Sequence, residues 1–413
     1  MKSMRMAIVI VMISALFWPA AYAEQTEITF LSYFIAKDEA LGRQIIADFE
    51  RENPDIKVNL EVFKADYPHE QTILRIAAGN PPDVIDVHPS RLYEFISQGI
   101  LADITEFAYR DADLADYFDP IIESVSLKGR IYALPQRIST YVLFYNKDLF
   151  DNAGLNYPSR NWFDKSWNWD TFYEAAKRLR RDTNGDGVYD VFGASFDRNI
   201  RGKIITFIFQ SGNPIFDEDY TRFELFNESG LRALSFVQNG VLEGAFSSAG
   251  FANSTSAMHI DIPPSMLTFK ESASFNFDVA ALPQGPAGPA TIIQPVPFGV
   301  VAASKKQEAA WRFLNYFTNR KSSELWSKAG VIVQPRKSVA TILNNYPDLG
   351  LRDLSPFIGA MEVGRPMPIN HINYTQITDM INNALRPVWK GEQDVRRALE
   401  SIKGPVEELL KAR

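Results

Sequence analysis

The chain has no cysteine. That excludes disulfide staples, thiolate metal sites, a cysteine nucleophile and a lipid-modified N-terminal cysteine. Histidine is scarce. His69, His88, His259 and His371 are scattered, and none pairs at metal-ligand spacing, so zinc chemistry has no support. There is no G-x-S-x-G elbow, phosphate loop or G-x-G-x-x-G fingerprint. Long Lys/Arg runs are missing as well, and the net charge is −7. An acidic surface of this kind is ill suited to phosphate backbones, so nucleic acid is not an expected partner. Nothing repeats internally, and no tract is of low complexity.

Long apolar runs are absent except at the start. Lys2 and Arg5 precede an apolar stretch from Met6 to Phe17, broken only by Ser14. Pro19 follows, then the small-x-small triplet Ala21-Tyr22-Ala23. This three-part layout is that of a secretory signal, and the stretch is short for a membrane span. The expectation is a signal peptide over residues 1–23, cleaved after Ala23. No later segment reaches the ~18 apolar residues of a span, so no membrane anchor is expected. Without a lipid tether, an exported protein is retained most simply by a periplasm.

A length of 413 residues suits two domains or one large α/β unit, and 46% hydrophobic residues supply an ample core. After the signal the text reads βαβ. Ile28–Leu31 is a short apolar strand. Glu39–Glu50 follows with Leu41, Ile45, Ile46 and Phe49 on one helical face. Ile56–Phe63 alternates as a strand, Tyr67–Ala78 reads as a helix, and Asp83–Val87 is a third strand. Alternation of this kind predicts a mostly parallel sheet flanked by helices, with ligands beyond the strands' carboxyl ends. Further on, Asp170 is a candidate cap for a helix carrying Phe172, Ala175, Ala176 and Leu179. Pro283–Pro297, rich in proline, glycine and alanine, is the best linker candidate. Gln307–Phe317 and Asp394–Leu410 read as amphipathic helices.

The sharpest local motif is Asp182-Thr183-Asn184-Gly185-Asp186-Gly187-Val188-Tyr189-Asp190, the first half of a calcium loop. Asp182, Asn184, Asp186, the Val188 carbonyl and Asp190 would be its ligands. The bidentate glutamate at the twelfth position is missing, since Gly193 stands there. A structural calcium ion is one reading, and a polar turn after a helix is the other. No other cofactor is called for. Aromatics at strand ends, namely Tyr33, Phe34, Trp162, Trp167 and Phe298, could offer flat faces to the C–H faces of a sugar, with polar side chains taking its hydroxyls.

These segments resemble the extracellular solute-binding proteins of ABC importers, in the maltose-binding-like, carbohydrate-associated group. The resemblance rests on Asn80-Pro81-Pro82-Asp83-Val84-Ile85, on Tyr132-Ala133-Leu134-Pro135 with Leu143 to Phe150 and Ala153-Gly154-Leu155, and on Trp169-Asp170-Thr171-Phe172 with Ala176 to Leu179. Ala257-Met258, Asp278 to Pro283 and Ala309 to Leu314 complete the series, which runs across nearly the whole chain after the signal.

It implies an α/β, two-lobed periplasmic-binding-protein fold, hinged, each lobe a βα sheet with flanking helices. The expected N-terminal lobe is 24–136 plus about 297–340, and the C-terminal lobe 137–296 plus about 341–413. The resemblance also implies a monomer that binds a mono- or oligosaccharide between the lobes, is not an enzyme, and delivers its ligand to transmembrane permease subunits. The positions it carries over as ligand contacts are Tyr33, Phe34, His88, Arg91, Ser139, Thr140, Asp261, Phe298, Gly299 and Tyr374. Ile262-Pro263-Pro264 stands where relatives often place a tryptophan, so one stacking platform is missing. Two other readings stay open. Arg91, Arg137 and Arg365 would suit a phosphorylated polyol such as glycerol phosphate. A secreted carbohydrate-active hydrolase would need two carboxylates facing across a cleft.

Overall fold

A computed structural model describes residues 25–34, 36–329, 333–340, 353–369 and 371–411. The expected signal peptide, and residues 341–352 of the expected second lobe, lie outside the described residues.

The strands are β1 (Thr26–Tyr33), β2 (Ile56–Phe63), β3 (Val84–Asp86), β4 (Ser126–Leu127), β5 (Arg130–Ile131), β6 (Leu134–Ser139), β7 (Val142–Asn146), β8 (Phe192–Ser195), β9 (Phe246–Ser247), β10 (Ser256–Asp261), β11 (Phe277–Ala280), β12 (Thr291–Val300) and β13 (Gly364–Pro366). They form two main sheets. The first runs β13-β12-β3-β1-β2, with β6 also on β12; the second runs β11-β7-β10-β8-β9.

In the first lobe, β1 pairs in parallel with both β2 and β3. Their carboxyl ends therefore open on one edge. Phe30 on β1 packs against Phe298, Phe313 and Phe317, and helix Gln307–Phe317 supplies the last two. This late helix closes the first lobe because Ala310, Trp311, Phe313, Leu314 and Phe317 share one buried face. In the second lobe β8, β9 and β10 are parallel to one another, and β7 runs against β10. Ser195, Ser247 and Asp261 mark the carboxyl ends there.

Two local expectations change. The cap of helix Trp169–Leu179 is Asn168, not Asp170. The Asn168 carboxamide accepts from the N–H groups of Asp170 and Thr171, and the Thr171 hydroxyl reaches back to the Asn168 N–H. The proline-rich stretch before Pro297 is also not a loose linker throughout, because β12 begins at Thr291. Its ladder with β6 shifts register between Val296 and Pro297, and a bulge is where a sheet tolerates proline.

β12 and β6 cross together between the lobes. At one end Thr291–Ile293 pair with β13; at the other Phe298–Val300 pair with β3. Thr140, fully buried at the crossing, lies 3.5 Å from the Thr291 hydroxyl, which donates to the Tyr141 carbonyl. Among the described residues, no helix is long and apolar enough to cross a membrane.

Candidate functional site in the interlobe cleft

The first wall is built on the carboxyl ends of β1, β2 and β3. Tyr33 ends β1, and its ring stacks on Tyr67 with centroids 5.0 Å apart. Tyr67 lies in the turn after β2. It stacks on His69 at 5.7 Å and meets His88, just past β3, edge-on at 5.1 Å. The result is a shelf of rings from three consecutive strand ends.

Asp86 underlies this shelf. Its Oδ2 accepts from the Ser32 hydroxyl at 2.9 Å and the Tyr33 N–H at 2.8 Å. Its Oδ1 is buried and makes no hydrogen bond. Burial pushes this carboxyl up to about 7, against the opposing pull of those two donors. Burial, reinforced by Asp86, likewise pushes the Tyr67 phenol up to about 12. Burial holds His69 down at about 4, with the Arg91 charge adding to the effect.

The back of the cleft is the β6–β12 ribbon. Ser139 stands opposite Gln294, and Arg137 opposite Val296. Arg137 is neutralised by Asp38 at 2.7 Å, near the start of helix Ala36–Glu52.

The second wall follows the same rule. The turn after β8 carries Asp197 and Lys203, and β10 ends at Asp261. The Lys203 ammonium lies 3.2 Å from Asp197, 3.3 Å from Asp261 and 5.7 Å from the centre of the Tyr141 ring. Burial alone would raise the Asp261 carboxyl. The His259 hydrogen bond and the Lys203 charge outweigh it and hold the group far below the usual carboxylate range. The Ser265 hydroxyl also donates to Asp261, at 2.8 Å. Tyr374 opens helix Tyr374–Leu385 on this side.

Both lobes line one cavity of about 1450 Å³. His88, Ser90 and Tyr93 come from the first, Tyr220, His371 and Tyr374 from the second, with Gln294 between them.

Of the residues expected from the sequence, His88 and Tyr374 line this cavity, while Tyr33, Ser139 and Asp261 lie at the strand ends and on the ribbon described above and are not among its lining residues. Phe34 and Phe298 do neither. Each is 2% exposed, and both rings pack on Phe317 in the first core, so neither has surface to offer a ligand. The Gly299 backbone faces Leu101 and the Tyr132 carbonyl inside that lobe. Thr140 is consumed at the crossing, and Arg91 pairs with Glu94 one turn along at 2.9 Å. Trp162 and Trp167 are buried, with indole N–H groups donating to Pro356 and Ala281 carbonyls. Arg365 lies over the Phe209 ring.

Sequence reasoning did not single out Gln294, Tyr220 and His371, which line the cavity, or Tyr67, Tyr141 and Lys203, which stand near the strand ends. A signal existed for Tyr67 and Lys203, which both follow the carboxyl end of a strand.

The 182–190 loop is exposed and closed on itself. Asp182 accepts from the N–H groups of Gly185 and Gly187, and Asp186 from that of Val188. Asp190 accepts from the Thr183 N–H at 2.8 Å and the Thr183 hydroxyl at 2.5 Å. Among the described residues no three acidic, histidine or cysteine groups gather as a metal cage. The turn accounts for these hydrogen bonds without an ion.

The sequence profile of the bacterial extracellular solute-binding proteins matches residues 35–324, and the chain belongs to that family. A galactooligosaccharide-binding protein of Bacillus subtilis is 25% identical over 401 residues, covering 90% of this chain and 88% of that protein. The sn-glycerol-3-phosphate-binding periplasmic protein of Pectobacterium atrosepticum is 23% identical over 424 residues, covering 90% and 89%. Among solved structures, the sugar-binding protein MalE of Xanthomonas citri superposes with a TM-score of 0.79 at 22% identity, over 94% of this chain and 98% of that one. That likeness shows the fold: two lobes of a periplasmic binding protein.

Proposed function

We propose that this protein is the substrate-binding component of an ABC importer, and that it captures a sugar, most fittingly an oligosaccharide, in the interlobe cleft. The observation that carries the reading is the cavity that both lobes line, with His88, Ser90 and Tyr93 from the first, Tyr220, His371 and Tyr374 from the second and Gln294 of the β6–β12 ribbon. Flat rings suit a sugar's C–H faces, and serine, histidine and Gln294 suit its hydroxyls. Closure is a hinge motion on the two crossing strands, and ligand favours it through contacts made only with both lobes. The closed form is what the permease reads. We place the mature protein in the periplasm, after cleavage following Ala23.

Two of the three arginines that would suit a phosphorylated polyol are already committed: Arg137 to Asp38 and Arg91 to Glu94. This argues for a neutral ligand.

One Ser–His–Asp arrangement in the second lobe does not expose its serine. The Ser195 hydroxyl lies 2.7 Å from His259 Nδ1, and His259 Nε2 lies 3.4 Å from Asp261. Ser195 is fully buried at the end of β8, out of reach of any substrate. The test is a thermal-shift panel of sugars and phosphopolyols, with aryl glycosides assayed for release of the aryl group. A rise in Tm with oligosaccharides and no turnover is expected. Hydrolysis, or a response to phosphopolyols alone, would overturn the proposal.

A further inference from the structure

The acidic, lysine and arginine side chains that line the interlobe cavity are Glu123 and Lys128 from the first lobe and Arg201, Glu218, Asp219 and Lys411 from the second. Arg201 is paired with Asp379 and Lys411 with Glu408, each within the second lobe. Lys128, Glu123, Glu218 and Asp219 are exposed, and their side chains have no ion-pair or hydrogen-bond partner among the described residues. A lone cation therefore stands on one wall of the cavity, and two lone carboxylates stand on the other.

Both charges sit on built turns. Ser126 pairs with Ile131 and Leu127 with Arg130, so Lys128-Gly129 is the two-residue turn of a hairpin. Its residues have φ of 50° and 74°, the geometry that matches strand twist and is usually filled by Asn-Gly or Asp-Gly. A lysine in this place accepts backbone strain and carries an ammonium at the tip. On the second lobe, Asp217 accepts from the N–H groups of Thr221 and Arg222 and from the Thr221 hydroxyl. Tyr220 is held at φ 53°, also in the left-handed region, and a bridge between Phe216 and Phe223 closes the turn. Glu218 and Asp219 stand at its head. Two tight, strained turns thus present opposite charges on opposite lobes, and such strain gathers at clamps and switches.

We infer that Lys128 and the Glu218–Asp219 pair form an interlobe latch: the two turns meet when the hinge closes, and the ammonium then pairs with a carboxylate of the other lobe. This rests on the hinge closure proposed above and not on the identity of the ligand. A contact made only in the closed form stabilises that form alone. An exposed ion pair changes an equilibrium constant by up to about fivefold. The latch therefore tilts the balance of open and closed forms without sealing the cleft. Glu123, on the same lobe as Lys128, repels the two carboxylates and keeps the latch weak. Salt at about 1 M, where the screening length is about 3 Å, silences it.

Zero-length carbodiimide coupling tests the contact in the full mature chain with no ligand added. An amide between the Lys128 side-chain nitrogen and Glu218 or Asp219 is expected in the linked peptides by mass spectrometry, and less of it at high salt. The balance itself is read from the distance distribution between two spin labels, one on each lobe, carried on introduced cysteines, since the chain has none of its own. Lys128→Glu is expected to lower the closed fraction by about twofold to fivefold. Adding Glu218→Lys and Asp219→Lys, which reverses both sides, is expected to recover it. Absence of the coupled peptide would overturn the latch. So would a closed fraction that ignores Lys128→Glu, or one that the full reversal leaves low. None of these measurements uses a sugar, so a failed latch leaves the sugar reading to its thermal-shift panel, and a failed panel leaves the latch standing. A Tm unchanged by the substitutions separates a lost latch from a lost fold.

Discussion

The backbone N–H of His88 donates to the Nε2 of His69, 3.0 Å away. This bond ties the turn after β3 to the start of helix His69–Ala77, and it requires a neutral His69. Burial, then the Arg91 and His88 charges, hold His69 at about 4, below its ordinary 6.5. A group whose folded value is depressed contributes stability above its ordinary value and loses it as pH falls through the folded one. Acidification from 6.5 towards 4 should therefore lower Tm and loosen the shelf. His69→Gln keeps an acceptor and should flatten this acid limb. An unchanged limb in a Tm-against-pH series would remove His69 from the account.

Asp86 works in the opposite sense. Its carboxyl is raised from 3.8 to about 7, chiefly by burial. The folded state then binds the proton more tightly than the unfolded one. Its contribution is fully present below 3.8 and is lost as pH rises through 7. Asp86→Asn should reduce the decline of stability between pH 3.8 and about 7, by up to a few kcal/mol given ~1.4 kcal/mol per pK unit. Urea unfolding at a series of pH values across that window measures it. A parallel offset between the two proteins, with no change in slope, would contradict this assignment.

Lys203 keeps two carboxylates apart. Lys203→Met would leave Asp197 and Asp261 facing one another without their shared cation. The lysine side chain is 21% exposed, so the expected loss is about 1–3 kcal/mol rather than the ~3–5 of a fully buried pair. Adding Asp261→Asn should recover part of it, since one of the unpaired charges is then gone. Strict additivity of the two substitutions in a double-mutant cycle would mean that the pair does not interact.

The 182–190 loop gives a separate test. Its carboxylates already accept the loop's own N–H groups. Chelator is therefore expected to leave Tm unchanged, and Asp190→Ala to lower it slightly through the lost Thr183 hydrogen bonds. A fall in Tm with chelator that calcium reverses would make the loop a structural ion site.

The fold was legible where burial follows a single period. β2 runs Ile56–Phe63 and the late helix Gln307–Phe317, each as its alternation or helical spacing predicts. The cleft was only half legible. Tyr33, His88 and Asp261 lie at strand carboxyl ends, where the rule for α/β sheets places ligands, and of these His88 lines the cavity. Tyr67 follows the end of β2, which the alternation had already put in the first sheet, whereas Lys203 is reached by the rule only once β8 is known to share a sheet with β10. Phe34 and Phe298 misled because an aromatic at a strand end reads the same whether it points out of the lobe or into it. Their neighbour Phe317 comes from a helix far along the chain, and no local pattern reveals that. Tyr220 sits in a turn whose chemistry signals only a turn.

The β6–β12 ribbon also sets the order in which the molecule can be made. β3 ends at Asp86, and its neighbour in the sheet begins pairing at Phe298. Everything from β7 to β11 is therefore an insertion within an unfinished first lobe. The second sheet, whose strands all lie between Val142 and Ala280, has all its pairings before the first sheet can close. Such long-range closure is paid in chain entropy before its contacts form, which makes it slow. Refolding should show the second lobe gaining protection against amide exchange before β3 and β12 do. A nascent chain lacking β12 would hold its first three strands with one sheet edge still open.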